Sequence, residues 1–150
     1  MTAEATRSSR IPELAFPALA LLGFVVSLYL WYVHVSGASA LCVGVGGCET
    51  VNASRYSEIS GVPVSVLGAF TYLALLAIWL IRPRLDIEWQ TKASLAIFGI
   101  TLTGVLFSAY LTYLELFVIY AICPWCVSSA VIIIGLFVLS IREIRGLLAD

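Results

Sequence analysis

Four cysteines carry the chemistry available to this chain, and they fall into two pairs. Cys42 and Cys48 have five residues between them, and Cys123-Pro-Trp-Cys126 is a C-x-x-C motif. Two intervening residues at a helix start let the sulfurs reach bonding distance, and the helix N-terminus favours thiolate on the first of them. Cys123 is therefore the better thiolate, and Cys126 lies about one turn deeper. Pro124 suits an early helical position, where its missing N–H is no loss. Gly44, Gly46 and Gly47 make the Cys42–Cys48 segment pliable, so that pair can close or part at little strain. Thiol–disulfide exchange can connect the two pairs.

The elements that must hold these sulfurs are membrane helices. The chain has 150 residues, 61% of them hydrophobic and 11% charged, with mean hydropathy +1.04 and net charge −1. Soluble domains are about 45–50% apolar and about 25% charged. No basic footprint for nucleic acid is present, and the length suits a single domain. Four stretches, about 15–35, 62–82, 93–114 and 122–141, reach the roughly 20 residues needed to cross a hydrocarbon core about 30 Å thick. Each must be helical there, because unpaired backbone groups in lipid are costly. The expected fold is all-α: an integral-membrane, four-helix transmembrane bundle. The first stretch is long enough to span rather than to be cleaved as a signal peptide.

Basic residues orient the bundle. Arg7 and Arg10 precede the first stretch, Arg82, Arg84 and Lys92 lie between the second and third, and Arg142 and Arg145 follow the fourth; Arg55 alone falls on the other side. The positive-inside rule puts both termini in the cytoplasm and all four cysteines on the outer face. That face of a bacterial cytoplasmic membrane is where disulfides persist. The outer loop at about 36–61 carries a semi-polar segment, Glu49 to Ile59, whose Val51, Ser54, Tyr56 and Ile59 suit a short amphipathic lid helix.

A thiol at lipid depth needs an oxidant soluble there, and an isoprenoid quinone fits. A pair on a wet loop can meet a soluble thiol protein instead. Electrons would then run from an external dithiol to Cys42–Cys48, to Cys123–Cys126 and to quinone. Two other readings stay open. The four thiolates could hold one zinc ion, or the cysteines could be structural parts of a membrane scaffold.

The series C-x5-C, Ser54-Arg55-Tyr56, Gly61-Val62-Pro63, Gly68 and Cys123-Pro-Trp-Cys126 resembles bacterial homologues of vitamin K epoxide reductase (VKOR) over about residues 15–141. DsbB-type quinone-linked oxidases carry the two pairs in the reverse order. The resemblance implies that Cys42 exchanges with a thioredoxin-like, DsbA-like partner and that Cys48 passes electrons to Cys123. It implies that Cys126 engages the quinone, menaquinone, ubiquinone or a related one, and that Ser54 guides the relay or the quinone carbonyl. Without a fused thioredoxin-like domain, the partner is expected to be a separate protein. Vertebrate members carry a tyrosine four residues after the C-x-x-C, where this chain has Ala130 beside Ser128 and Ser129; this favours quinone reduction over epoxide reduction. Their lid asparagine falls at about Ser57.

Glu115, at the end of the third stretch, could relay a proton to the reduced quinone or simply reach the headgroups. Trp125 could wall the quinone site or anchor the helix, and Ser129 offers a hydroxyl near it. His34 reads as an interfacial residue. Trp31, Tyr32, Trp79, Tyr110 and Tyr113 suit an aromatic belt. Phe107, Tyr110 and Leu111 share a helical face that packs the core or lines a pocket. Gly23, Gly68, Gly99 and Gly104 suit close helix contacts.

Overall fold

Apolar side chains on every face leave each long segment little choice but a helix that satisfies its own backbone. The computed structural model describes residues 2–42 and 47–149, with side chains from Leu14 onward. Gly44 and Gly46 lie outside the described residues, as do the side chains of Arg7 and Arg10. Four long helices form: α1 (Thr2–Ser36), α3 (Val64–Ile81), α4 (Ile87–Leu114) and α5 (Pro124–Ala149), with the short α2 (Cys48–Asn52) between the first two. Membrane-spanning segments run over Leu14–Ser36, Val64–Arg84, Ile87–Ile119 and Pro124–Ala149. Only 11–28% of each apolar window is buried inside the bundle. Outward-facing leucine, valine, phenylalanine and tyrosine on this scale suit hydrocarbon rather than water. The protein is a multi-pass membrane protein with a four-helix bundle.

The helices form a ring in the order α1, α3, α4, α5. The α1–α3 and α4–α5 pairs are packed most extensively, α1 also lies along α5, and the α3–α4 seam is the sparsest. A core of Phe16, Ala20, Val26, Tyr72, Leu75, Ile97, Ile132, Ile133 and Leu136 fills the middle. Small residues set the spacing. A Cβ on Gly23 would fall 2.5 and 2.6 Å from ring atoms of Tyr72, so α1 and α3 meet through an aromatic ring laid on bare backbone. Gly68 abuts Ser27 and Gly104 abuts Ile133, whereas Gly99 has nothing within 4 Å and makes no such contact.

At the end of the bundle remote from the cysteines, α3 gives way to a 3₁₀ turn at Arg82–Arg84. There Glu143 of α5 accepts hydrogen bonds from Arg82 and from Ser94 Oγ of α4, joining three elements. Nearer the middle, the Thr101 and Ser140 hydroxyls lie 3.2 Å apart across α4 and α5; one donates to the other, which in turn donates to a carbonyl of its own helix.

The 36–61 loop forms a cap over the other end. Its helix is shorter than the sequence suggests: α2 stops at Asn52, and neither Tyr56 nor Ile59 belongs to it. Ser54 Oγ donates to Val51 O and Ser57 Oγ donates to Ser54 O. Serine hydroxyls that bond nearby carbonyls compete with helix continuation. The chain then enters a two-stranded antiparallel hairpin, β1 (Glu58–Ile59) and β2 (Val62–Pro63), in which Ile59 faces Val62. Ser60 at φ 53 and Gly61 at φ 83 close it. Two consecutive left-handed residues are what a two-residue hairpin loop demands, and glycine supplies one without strain. Both nitrogens of His34 hold this cap to α1: Nδ1 pairs with Asn52 Oδ1 at 3.2 Å and Nε2 with Glu58 Oε1 at 2.9 Å. His34 is thus a tether rather than a passive interfacial residue.

Candidate functional site

The two cysteine pairs meet at the capped end. Cys42 and Cys48 form a disulfide, whereas Cys123 and Cys126 are free thiols. Cys48 opens α2 and is buried, Cys123 immediately precedes α5 and is equally buried, and Cys126 is on the first turn of α5. Pro124 is the first residue of α5, where its ring suits the helix and no intrahelical N–H is lost.

Backbone packing brings the pairs together. After α4 the chain passes through a π turn, Glu115–Ile119, and ends it at Tyr120 in the left-handed region at φ 55. That reversal lays Ile122 against Gly47. A Cβ on Gly47 would fall 2.6 Å from Ile122 N and 2.8 Å from its carbonyl carbon, and closer still to the carbonyl oxygen. Gly47 and Ile122 are the residues before Cys48 and Cys123, so this contact brings the backbones leading into the two buried cysteines together, and both cysteines line one cavity. Glycine is therefore required at 47 for close approach.

Cys42 is fastened through its neighbour. The Leu41 N–H donates to Tyr29 Oη at 2.9 Å, and Trp125 Nε1 donates to Leu41 O at 3.1 Å. The Tyr29 and Trp125 rings are tilted together with centroids 4.8 Å apart. Trp125 lies between the C-x-x-C sulfurs in sequence, yet it serves the other pair's loop and does not line the cavity beneath.

That cavity, about 170 Å³, lies under the cap among α1, α3, α4 and α5. Cys48, Cys123 and Cys126 all line it; Cys42 does not. Ser54, Glu115, Ser129 and Ala130 line it too, as do Asn52 and Ser57 from the cap. Phe107 and Leu111 contribute its α4 wall, while Tyr110 is exposed on the outer surface. Glu115 is buried, and its Oε2 accepts the Cys123 backbone N–H at 3.2 Å. The carboxylate thus takes up a backbone donor at the start of α5, and it shares the cavity with the Cys126 thiol.

Tyr72 joins the site although its sequence neighbourhood carries no site motif. Its hydroxyl donates to Ser129 O at 2.9 Å and lies equally close to Ser129 Oγ, while its ring also lines the cavity. A tyrosine in the middle of an otherwise apolar span needs a partner for its hydroxyl, which is the signal that could have marked it. The tetrahedral zinc arrangement needs four thiolates, and the Cys42–Cys48 disulfide takes up two of them.

The vitamin K epoxide reductase family matches residues 14–141 of this chain. The chain belongs to that family. Membership makes it an oxidoreductase, and individual relatives agree. Thiol-disulfide oxidoreductase LTO1 of Arabidopsis thaliana is 31% identical over 122 residues, covering 78% of this chain and 32% of LTO1, so the chain spans about a third of that relative's length. Vitamin K epoxide reductase complex subunit 1 of Mus musculus is 30% identical over 151 residues, covering 90% of the chain and 92% of the relative. The Rattus norvegicus subunit is 32% identical over 143 residues, covering 85% and 87%. In this family member the C-x5-C pair sits on the cap and the C-x-x-C pair heads the last spanning helix.

Proposed function

We propose that this family member oxidises a separate thioredoxin-like, DsbA-like protein and delivers the electrons to a membrane quinone. The observation that carries this reading is the convergence of Cys48, Cys123 and Cys126 on one cavity among spanning helices. Cys42, outside that cavity, is the sulfur a soluble partner attacks. A partner thiolate bonds to Cys42 Sγ, the Cys42–Cys48 bond breaks, and Cys48 leaves as thiolate inside the cavity. The partner's second thiolate then releases the partner oxidised, with Cys42 reduced.

Cys48 next exchanges with Cys123, breaking the oxidised Cys123–Cys126 bond and restoring the first disulfide through Cys42. The reduced C-x-x-C pair finally gives two electrons and two protons to the quinone, with Cys126 engaging it and Cys123 reforming the disulfide. Ser129, and Ser54 once its hydroxyl turns from Val51 O, offer donors to the quinone oxygens. The charge pattern supports a bacterial cytoplasmic membrane with both termini inside and the cysteines on the outer side, where substrates for disulfide formation lie.

The test uses the purified protein in lipid nanodiscs with a reduced thioredoxin-like protein and ubiquinone-1 or menadione. Quinone should be consumed one for one with partner disulfide. Cys126→Ala should abolish quinone reduction, and Cys48→Ala, which leaves Cys42 without a disulfide to offer, should leave the reduced partner unoxidised. Full turnover in Cys126→Ala would refute the assignment. A redox state indifferent to both dithiol and quinone would favour a scaffold with structural cysteines.

A further inference from the structure

We infer that Glu115 carries a proton between the Cys123–Cys126 dithiol and the quinone, besides anchoring the start of α5. This deepens the reading above and rests on it.

Placement and chemistry carry the inference together. Among the described residues, Glu115 is the one carboxyl lining the cavity shared by Cys48, Cys123 and Cys126, and no lysine or arginine lines it. A buried carboxylate without a cation is costly and is retained only where something compensates. The Cys123 amide supplies part of that compensation, but it uses Oε2 alone and leaves the second oxygen for a proton. Capping by itself does not require an acid, since serine, threonine or asparagine caps helices as well as aspartate does. The carboxyl sits on a π turn, a feature frequent at functional sites, and lines the same cavity as both sulfurs.

The balance of the step shows what a carboxyl is for. Two S–H bonds break, the Cys123–Cys126 bond forms, and the quinone takes two electrons and two protons to become quinol. Each proton must leave a sulfur and reach a quinone oxygen inside a mainly apolar cavity. Glu115 takes a proton from the dithiol as sulfur becomes nucleophilic and returns it to the oxygen as negative charge develops there. It is unchanged at the end of the cycle, and no further reactant is needed.

The experiment is single-turnover oxidation of the fully reduced, nanodisc-held protein by ubiquinone-1. Glu115→Gln keeps an oxygen acceptor for the Cys123 amide but cannot shuttle the proton. The quinone step should fall about 100-fold, within the usual contribution of a positioned acid–base group, and its solvent deuterium effect should grow. Exchange of an external dithiol with Cys42–Cys48 should keep its rate. Glu115→Asp, which retains a carboxyl, should stay well above Glu115→Gln. A Glu115→Gln protein that reduces ubiquinone-1 within twofold of wild type would overturn the inference while leaving the proposed function standing. Equal losses in Gln, Asp and Leu variants, with a lowered Tm and no isotope change, would overturn it in favour of a purely structural cap. Wild-type protein that fails to reduce ubiquinone-1 would defeat the functional reading itself.

Discussion

Replacing Gly47 with alanine should uncouple the two cysteine pairs without damaging either. The added Cβ would lie 2.6 and 2.8 Å from backbone atoms of Ile122, whereas ordinary contact begins near 3.4 Å. Backbone on both sides leaves no side chain to swing away, so the cap must lift by roughly 1 Å. A misplacement of about 1 Å can cost about 100-fold in a positioned reaction, equivalent to about 2.7 kcal/mol of barrier. Overpacking of this kind costs about 1–3 kcal/mol of stability, so the bundle should still fold with a lowered Tm. The assay separates three rates in one preparation: external dithiol with Cys42–Cys48, transfer between the pairs, and Cys123–Cys126 with quinone. Only the middle rate should collapse. Gly99→Ala is the control, because nothing lies near that position and every rate should hold. Inter-pair transfer at the wild-type rate in Gly47→Ala would refute the claim that this contact sets the sulfur approach.

Three further outcomes follow from the packing. Tyr72→Phe removes the hydroxyl joining α3 to Ser129 and should cost about 1 kcal/mol, read as a lowered Tm. His34→Ala removes both cap hydrogen bonds, so hydrogen exchange over residues 48–63 should quicken while the spanning helices keep their protection. Glu143→Ala leaves Arg82 and Ser94 without their shared acceptor at the far end; it should lower Tm by a few degrees yet leave quinone turnover within twofold, because no residue of that cluster reaches the cavity.

Apolar length suffices to read four spanning helices from the sequence, since lipid imposes one backbone solution on such segments. The cysteine spacing likewise marks the redox chemistry. The cap was harder to read. Val51, Ser54, Tyr56 and Ile59 recur at nearly helical spacing, but serine hydroxyls at 54 and 57 turn back onto the backbone, and the hairpin claims Ile59. Its place between two cysteines suits Trp125 to wall the quinone site, yet its indole N–H finds Leu41 O on the neighbouring loop. Gly47 and Tyr72 acquire their roles only from residues 75 and 57 positions away, Ile122 and Ser129, and local spacing contains no trace of such partners.

The sparse seam between α3 and α4 has a consequence for how a long substrate is accommodated. The far end is knotted by Arg82, Ser94 and Glu143, the top is covered by α2 and the turn that follows it, and the other helix borders are packed more closely. Among the described residues, the α3–α4 border is the least packed side by which a molecule with an isoprenoid chain longer than the chamber could extend sideways. Such a molecule would enter head first from the surrounding lipid and leave its tail trailing there, never needing to pass through water.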